Sequence, residues 1–311
     1  MSTIVAGTAT AAPSTTRRPR GGLWRAILHN RKAMVGAVLL VLFCLLAAFP
    51  HLFVPWLHGD PQAIGELPLQ HPSAKHWLGT TGLGQDVYAQ LVYSTRESLL
   101  IALIAGLGAT ILSVVIGVSA AYLGGGADDL LSMFTDVFLV LPTFPLIIVL
   151  ATYAGKGNLT VIIIVLIATG WSYGARQMRA QALSLRNRDF LESARVRGER
   201  SSYIIMVEVL PTMTSLIVAN FLGAALYSVL TAAGLQFLGL GDPNSLSWGT
   251  MLYWAQNQGA LVNGLPAWAL SPGLAVALLG VSFALLNYAF DEISNPALRP
   301  VRRRRAKSAH S

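Results

Sequence analysis

Six stretches without a charged side chain limit this chain more than any other feature. They cover residues 33–57, 98–127, 137–155, 157–175, 209–241 and 267–290. A helix rises about 1.5 Å per residue, so about 20 residues cross a hydrocarbon layer roughly 30 Å thick. Each run reaches or approaches that length. Barrel strands are shorter and alternate apolar with polar residues, which these runs do not. The expected fold is therefore all-α: a polytopic membrane protein with six transmembrane helices, at about 33–54, 98–123, 137–154, 158–175, 209–235 and 267–290. Composition agrees, because 54% of residues are hydrophobic and 12% charged, too little charge to cover a soluble globule of this size. The single cysteine, Cys44, excludes an intrachain disulfide framework.

Cations cluster between the runs. The tail at 1–32, the segment between the fourth and fifth runs and the tail at 294–311 hold 19 of the 22 Lys and Arg residues. The positive-inside rule then puts both termini and the fourth–fifth segment on the cytoplasmic side. Contact with anionic lipid headgroups accounts for the net charge of +8 without nucleic acid. The first run is too long for a signal-peptide core and reads as a retained helix. The Ser/Thr/Ala/Pro-rich start of the tail has no apolar periodicity and is expected to be disordered. Gly155-Lys156-Gly157 reads as a tight hairpin.

Three polar segments lie outside the membrane runs. On the outer side are residues 58–97, with an amphipathic stretch from Val87 to Arg96, and residues 242–266. Trp248, Tyr253, Trp254 and Trp268 in and beside the second suit the headgroup level. The cytoplasmic segment carries a short helix at 189–198. Asp189 is expected as its N-cap, with Glu192 completing a capping box, and Gly198 as its left-handed terminator. By these signals alone, an ordinary interfacial helix is favoured over a helix gripped by a partner.

The spacing around that helix resembles a known signature. Glu192-Ser193-Ala194, three residues, Gly198, nine residues and Glu208-Val209-Leu210-Pro211 are similar to the EAA motif of importer-type ABC permeases, with Ser193 in place of the central Ala. Asn30-Arg31, Ala33 and Gly36 resemble the entry to the first helix of the C-type permease subunits of dipeptide and oligopeptide systems. Their outer motif is matched by His76-Trp77-Leu78-Gly79-Thr80 and Leu83-Gly84-Gln85-Asp86-Val87, with Gln85 where Arg is usual. Asp129, Asp136 and Pro142 (Met133 standing where Arg is common), Phe237 to Gly241, Ser247-Trp248-Gly249 and Pro272-Gly273 continue the likeness. It covers most of residues 25–300.

The resemblance implies a type I ABC importer permease fold in a bacterial inner membrane. It implies a second homologous permease subunit, two ABC ATPase subunits and an extracytoplasmic substrate-binding protein as partners. Di- or oligopeptide uptake would be driven by ATP, with ATP and Mg held on partner subunits and no cofactor on this chain. Asp189, Phe190, Leu191, Glu192, Ala194 and Gly198 are the implied ATPase-coupling residues. Glu192 would cap, Ala194 would permit close approach, and Leu191 and Phe190 would fill the partner's groove. Trp77, Gly79, Gly84, Asp86, Trp248 and Gly249 are the implied outer residues for binding-protein docking. The same kind of system importing a nickel chelate, glutathione or haem is an alternative.

Other chemistries fit less well. No phosphate-binding G-x-x-x-x-G-K-[ST] loop occurs, so this chain is not expected to hydrolyse ATP. Gly170-Trp171-Ser172-Tyr173-Gly174 matches a nucleophile elbow, but none of the six histidines lies on a later membrane run to act as its base. His51, His58, His71 and His76 fit no metal-ligand spacing and read as polar loop residues. An ion-coupled secondary transporter is the alternative of a different class. It usually needs an ionisable group inside the bundle, and the runs offer only Asp136, whose other reading is dipole compensation beside Asp128 and Asp129. Gly106, Gly108, Gly117 and Gly223 suggest close helix contacts.

Overall fold

A computed structural model describes residues 30–56, 60–153, 158–186 and 188–294. The hairpin expected at 155–157, the amino-terminal tail up to residue 29 and most of the basic carboxy-terminal tail lie outside the described residues.

Helix α1 (Arg31–Ala48) starts where the Asn30 side chain accepts the Lys32 amide at 3.0 Å, and α2 (Pro50–Phe53) extends it. Helix α3 (Val87–Leu123) is 37 residues long. The amphipathic stretch from Val87 to Arg96 is therefore not a separate element but the first turns of the second span. Asp86 starts it by accepting the Ala89 amide at 2.8 Å. This longer helix also brings Glu97 into a span, an acid that lies just outside the charge-free run.

The third run does not form one continuous helix. Helix α4 (Gly125–Val140) and α5 (Thr143–Tyr153) meet at a bend of 89°. Leu141 is extended (φ −61°, ψ 136°), as expected for a residue pressed by the ring of a following proline, and Pro142 and Pro145 cannot continue the ladder across the break. The fourth run is also divided, into α6 (Leu159–Gly170) and α7 (Ser172–Arg186), bent by 41°. Here a buried serine takes part. Ser113 Oγ donates to the Trp171 carbonyl at 2.7 Å, pinning the break to α3.

Helix α8 (Asp189–Val196) is followed by α9 (Ser201–Thr212), which contains a π-helical turn at Ile204–Val209, where the fifth span was expected to begin. Helix α10 (Thr214–Phe237) is the continuous part of that span. Helix α11 (Trp248–Asn257) lies on the side expected to face outward, and α12 (Pro266–Ser294) forms the last span with Pro272 in its interior. Among the described residues α1, α3, α10 and α12 are each long and apolar enough to cross a membrane, and the number of spans rises to as many as six where each bent pair counts as one.

Helix α3 is the axis of the bundle, packed against α1, α6, α7 and α10, while α12 closes α10 against α1. Small residues allow this. A Cβ at Gly106 would stand 2.8 Å from the Ala225 backbone, and one at Gly117 would overlap the Ala175 carbonyl. In lipid, where burial of apolar surface between helices gains little, such close backbone approach holds helices together. Three Trp side chains, Trp171, Trp248 and Trp268, are fully buried in this packing.

Candidate functional site

The structure offers three places for function: a cavity within the bundle, the short helix α8, expected on the cytoplasmic side, and the cap expected to face outward. The cavity is half-open, has a volume of about 440 Å³ and is lined by α4, α5, α6, α7, α10 and α12. Helix α10 contributes one stripe, Leu216, Ala219, Asn220, Gly223, Ala224 and Tyr227, spaced three and four residues apart as one helical face requires. Helix α7 contributes Ser172, Tyr173, Gly174 and Gln177 immediately after the bend, and Asn287 comes from α12. The bends thus turn polar side chains of α7 inward. Close fit fixes Asn220, since a Cβ at Gly174 would overlap its amide. No histidine is among the lining residues, so Ser172 has no base beside it there.

Sequence reasoning named none of these carboxamides. The signal was present, however. Asn220 and Asn287 are the only asparagines in their long apolar runs, and neutral polar groups were overlooked in a search for charges.

The cytoplasmic helix differs from expectation in three respects. First, Arg188, not Asp189, occupies the N-cap position, and no side chain caps the helix. Asp189 is the first helical residue and Glu192 lies one position too far along to close a capping box; both instead place negative charge in the first turn, where the dipole favours it. Second, Leu191 does not face outward. It is 1% exposed and packs with Ala194, at 0%, against Val118 and Ala121 of α3, Met178 and Ala182 of α7, and Ile204, Val209 and Met213. The close approach that Ala194 permits is to the chain's own bundle. Third, the outward face consists of Asp189, Phe190, Glu192, Ser193, Arg195 and Val196, the last 84% exposed. Gly198 does end the helix. At φ 78° it donates to the Arg195 carbonyl while Glu199 donates to the Ala194 carbonyl, the paired bonds of a left-handed terminator.

This short helix shares a buried apolar cluster with α3, α7 and the π-helical turn of α9, which it contacts most, and the opposite end of α7 lines the cavity. Helix α7 is in turn tied to α4. Arg179 donates to both oxygens of Asp128, at 2.6 and 2.7 Å, and Arg176 donates to Asp136 at 2.5 Å. Asp136 therefore serves as an interhelix ion-pair partner, far from the first turn where dipole compensation would place it.

The outer cap is fastened differently. Gln85 donates to the Gln62 carbonyl and accepts from Gln90, both at 2.7 Å, and Gln62 donates to the Asn244 carbonyl at 3.0 Å. These bonds join the two outer segments through the residue that replaces the usual Arg. His76, 4% exposed, sits with Nδ1 2.7 Å from Asp86, while Lys75 pairs with Glu66 at 2.7 Å. The Lys75 ammonium holds the Glu66 carboxyl below its ordinary range. Gly79 and Gly84 adopt φ 81° and 76°, and a Cβ at either would overlap the Gln70 or Glu66 carbonyl. Trp77 is exposed beside Trp56 and Tyr88, its ring centroid 5.2 and 4.9 Å from theirs. Trp248 is not available to a docking protein. Its ring is buried against Phe43, its indole donates to the Leu91 carbonyl at 3.1 Å, and Ser98 accepts its amide. Gly249 leaves room for Gln236, whose amide a Cβ there would overlap. Trp268 is likewise interior, not a headgroup anchor.

A bundle of four to six spans with a polar-lined cavity is the architecture of a membrane transport protein, and the comparisons name the class. Residues 113–299 match the family described as binding-protein-dependent transport system inner membrane component, and residues 19–72 match the N-terminal transmembrane domain of oligopeptide transport permease C. The chain belongs to this family of ABC-transporter permease subunits. It is 33% identical to the oligopeptide transport system permease protein OppC of Mycobacterium tuberculosis over 282 residues, covering 90% of this chain and 95% of the relative. It is 29% identical to the dipeptide transport system permease protein DppC of Alkalihalophilus pseudofirmus, covering 89% of each chain. It is also 30% identical to the glutathione transport system permease protein GsiD of Pectobacterium atrosepticum, covering 91% of this chain and 93% of that one.

Proposed function

We propose that this chain forms one half of the pathway of an importer for di- and oligopeptides in a bacterial inner membrane, with both termini cytoplasmic. A second, homologous permease subunit completes the pathway. Two ATPase subunits bind ATP and Mg below, and an extracytoplasmic binding protein delivers substrate above. The observation that carries this reading is the seating of α8. Leu191 and Ala194 place it in a buried cluster with the π-helical turn of α9, α3 and α7, and α7 leads directly to Ser172, Tyr173 and Gln177 in the cavity.

Closure of the ATPase pair would push on the outward face of α8, with Phe190 and Val196 as its apolar contacts. Because α8 shares its buried cluster with α7, and α7 is ion-paired to α4, the push displaces two walls of the cavity together. The broken spans provide hinges, since Pro142 and Trp171 interrupt the backbone ladder between the moved segments and the rest. Glu192, Gly198 and Asp189 shape and orient the lever; they contribute no chemistry. Trp77, Gly79, Gly84 and Asp86 build and present the docking side of the cap.

The test is uptake of labelled dipeptide by proteoliposomes holding all five proteins. Uptake is expected only with internal ATP and binding protein. Transport by this chain alone under an ion gradient would instead establish a secondary transporter. Glutathione belongs in the same assay, since one relative carries that name. Orientation has an independent check: a reporter active only outside the cytoplasm should work near Gly65 and fail near Arg186.

A further inference from the structure

The cavity contains no charged residue among those that line it, although the substrates of a peptide importer carry many charges. Its polar groups are neutral: the hydroxyls of Thr143, Thr169, Ser172, Tyr173 and Tyr227, and three carboxamides. Asn220, Asn287 and Gln177 each offer both an N–H donor and a C=O acceptor, the combination that a peptide main chain also presents. They are largely uncommitted. Among the described residues Asn287 and Gln177 make no side-chain hydrogen bond, and Asn220 makes one long one, 3.4 Å to Thr110. Gly223 keeps the wall between the two asparagines bare, for its Cβ would stand 3.3 Å from the Asn287 amide nitrogen.

The spacing suits an extended chain. Asn220 and Tyr227 lie seven residues apart on one face of α10, about 10 Å at helical rise. An extended peptide covers about 10 Å in three residues. Charge is the other half of the argument. A site selecting acidic or basic side chains, a metal chelate or a haem carboxylate needs an opposite charge or a metal ligand, because neutral amides repay little of the desolvation of an ion.

We infer, resting on the peptide-importer reading above, that Asn220, Asn287 and Gln177 recognise the main-chain amides of an extended segment of about three residues. The substrate class is linear peptide of any side-chain charge. Selection by side chain lies outside this cavity.

The experiment uses the complete reconstituted transporter with its binding protein saturated by each substrate. The substrates are tripeptides with Ala, Lys or Glu in the middle, each also N-methylated at the central amide. Wild-type uptake of the three unmodified peptides is expected to agree within about threefold, and N-methylation to lower it by about tenfold, the effect of losing one or two main-chain hydrogen bonds. Asn287→Leu is expected to lower uptake of all three by about tenfold and to abolish most of the difference between methylated and unmethylated forms. Asn287→Gln, which keeps the carboxamide, should recover part of that loss and so separates recognition from misfolding. The inference is overturned if methylation leaves wild-type uptake unchanged, if Asn287→Leu loses only the Lys or only the Glu peptide, or if the methylation effect persists undiminished in it. A wild-type complex that takes up no peptide at all overturns the peptide-importer reading itself, a distinct result.

Discussion

The two ends of this bundle are attached with a different balance: α11 is buried through Trp248, Met251 and Ala255, but the segment before α3 depends on polar bonds that α8 lacks. At the outer end the cap is bound to the spans by directional polar bonds: Asp86 to the α3 amides, His76 to Asp86, and Gln62, Gln85 and Gln90 to one another and to Asn244. At the cytoplasmic end α8 holds on by two buried apolar side chains, and its polar groups face outward. Directional bonds tolerate little movement, whereas an apolar seat lets a helix shift as a body with the helices beneath it. On the function proposed above, the contrast would give rigidity to the outer face and transmission to the inner one.

The largest effect is expected at the apolar seat. Leu191→Ala should destabilise the α8 contact by about 2–5 kcal/mol, the usual cost of truncating a fully buried leucine. ATP-driven uptake should collapse while ATP hydrolysis by the assembled complex continues. Tight coupling in that variant would break the comparison. Second comes Gly198→Val, which forces a β-branched residue into a left-handed turn at a cost of about 1–2 kcal/mol. Protease sensitivity of the α8 region should rise and uptake fall, with membrane insertion unchanged.

Substituting the cap should act on stability more than on coupling. Asp86→Ala removes the N-cap of α3 and the His76 contact, so thermal unfolding in detergent should show a loss of about 0.5–2 kcal/mol. If it uncouples transport as Leu191→Ala does, the rigid–mobile distinction fails. The smallest effect concerns pH. The Glu66 carboxylate is favoured by Lys75, so its contribution is complete above the ordinary carboxylate range and is lost as pH falls through its lowered folded pKa. Lys75→Met should flatten the acid limb of cap stability by a small amount, measured as amide exchange at residues 66–76 against pH.

How far the chain could be read in advance varied by element. The spans were legible because a charge in hydrocarbon is costly and its absence over a run is easy to count. The start of α3 was misread because Glu97 and Arg96 interrupted the run, although Asp86, an ordinary N-cap residue, marked the true beginning. In α8 the left-handed terminator was readable from Gly198 alone. The cap was not, since Asp189 can serve as N-cap or as first-turn acid, and the turn that joins α7 to α8 decides which. Leu191 and Phe190 are neighbours in a short amphipathic helix, and only the position of α3 and α7 separates the buried one from the exposed one. Trp248 looked like an interfacial anchor because sequence places it beside a membrane run, yet α3 supplies both Ser98 and the Leu91 carbonyl to satisfy its N–H groups in the interior.

What this sequence settled unaided is the class of environment and the order of its segments. Apolar run length, cation placement and the Glu192-to-Pro211 spacing are one-dimensional properties, and they survive whatever the packing does. Tertiary structure decided which side chains meet. The cavity takes Asn220 from α10, Asn287 from α12 and Gln177 from a helix turned inward by a break, and these residues come together only through the angles at which helices cross and bend. Those angles depend on close contacts such as Gly106 on Ala225 and Ser113 on Trp171, between residues 58 or more positions apart. No local pattern records such a pairing, because its energy exists only once both partners are in place.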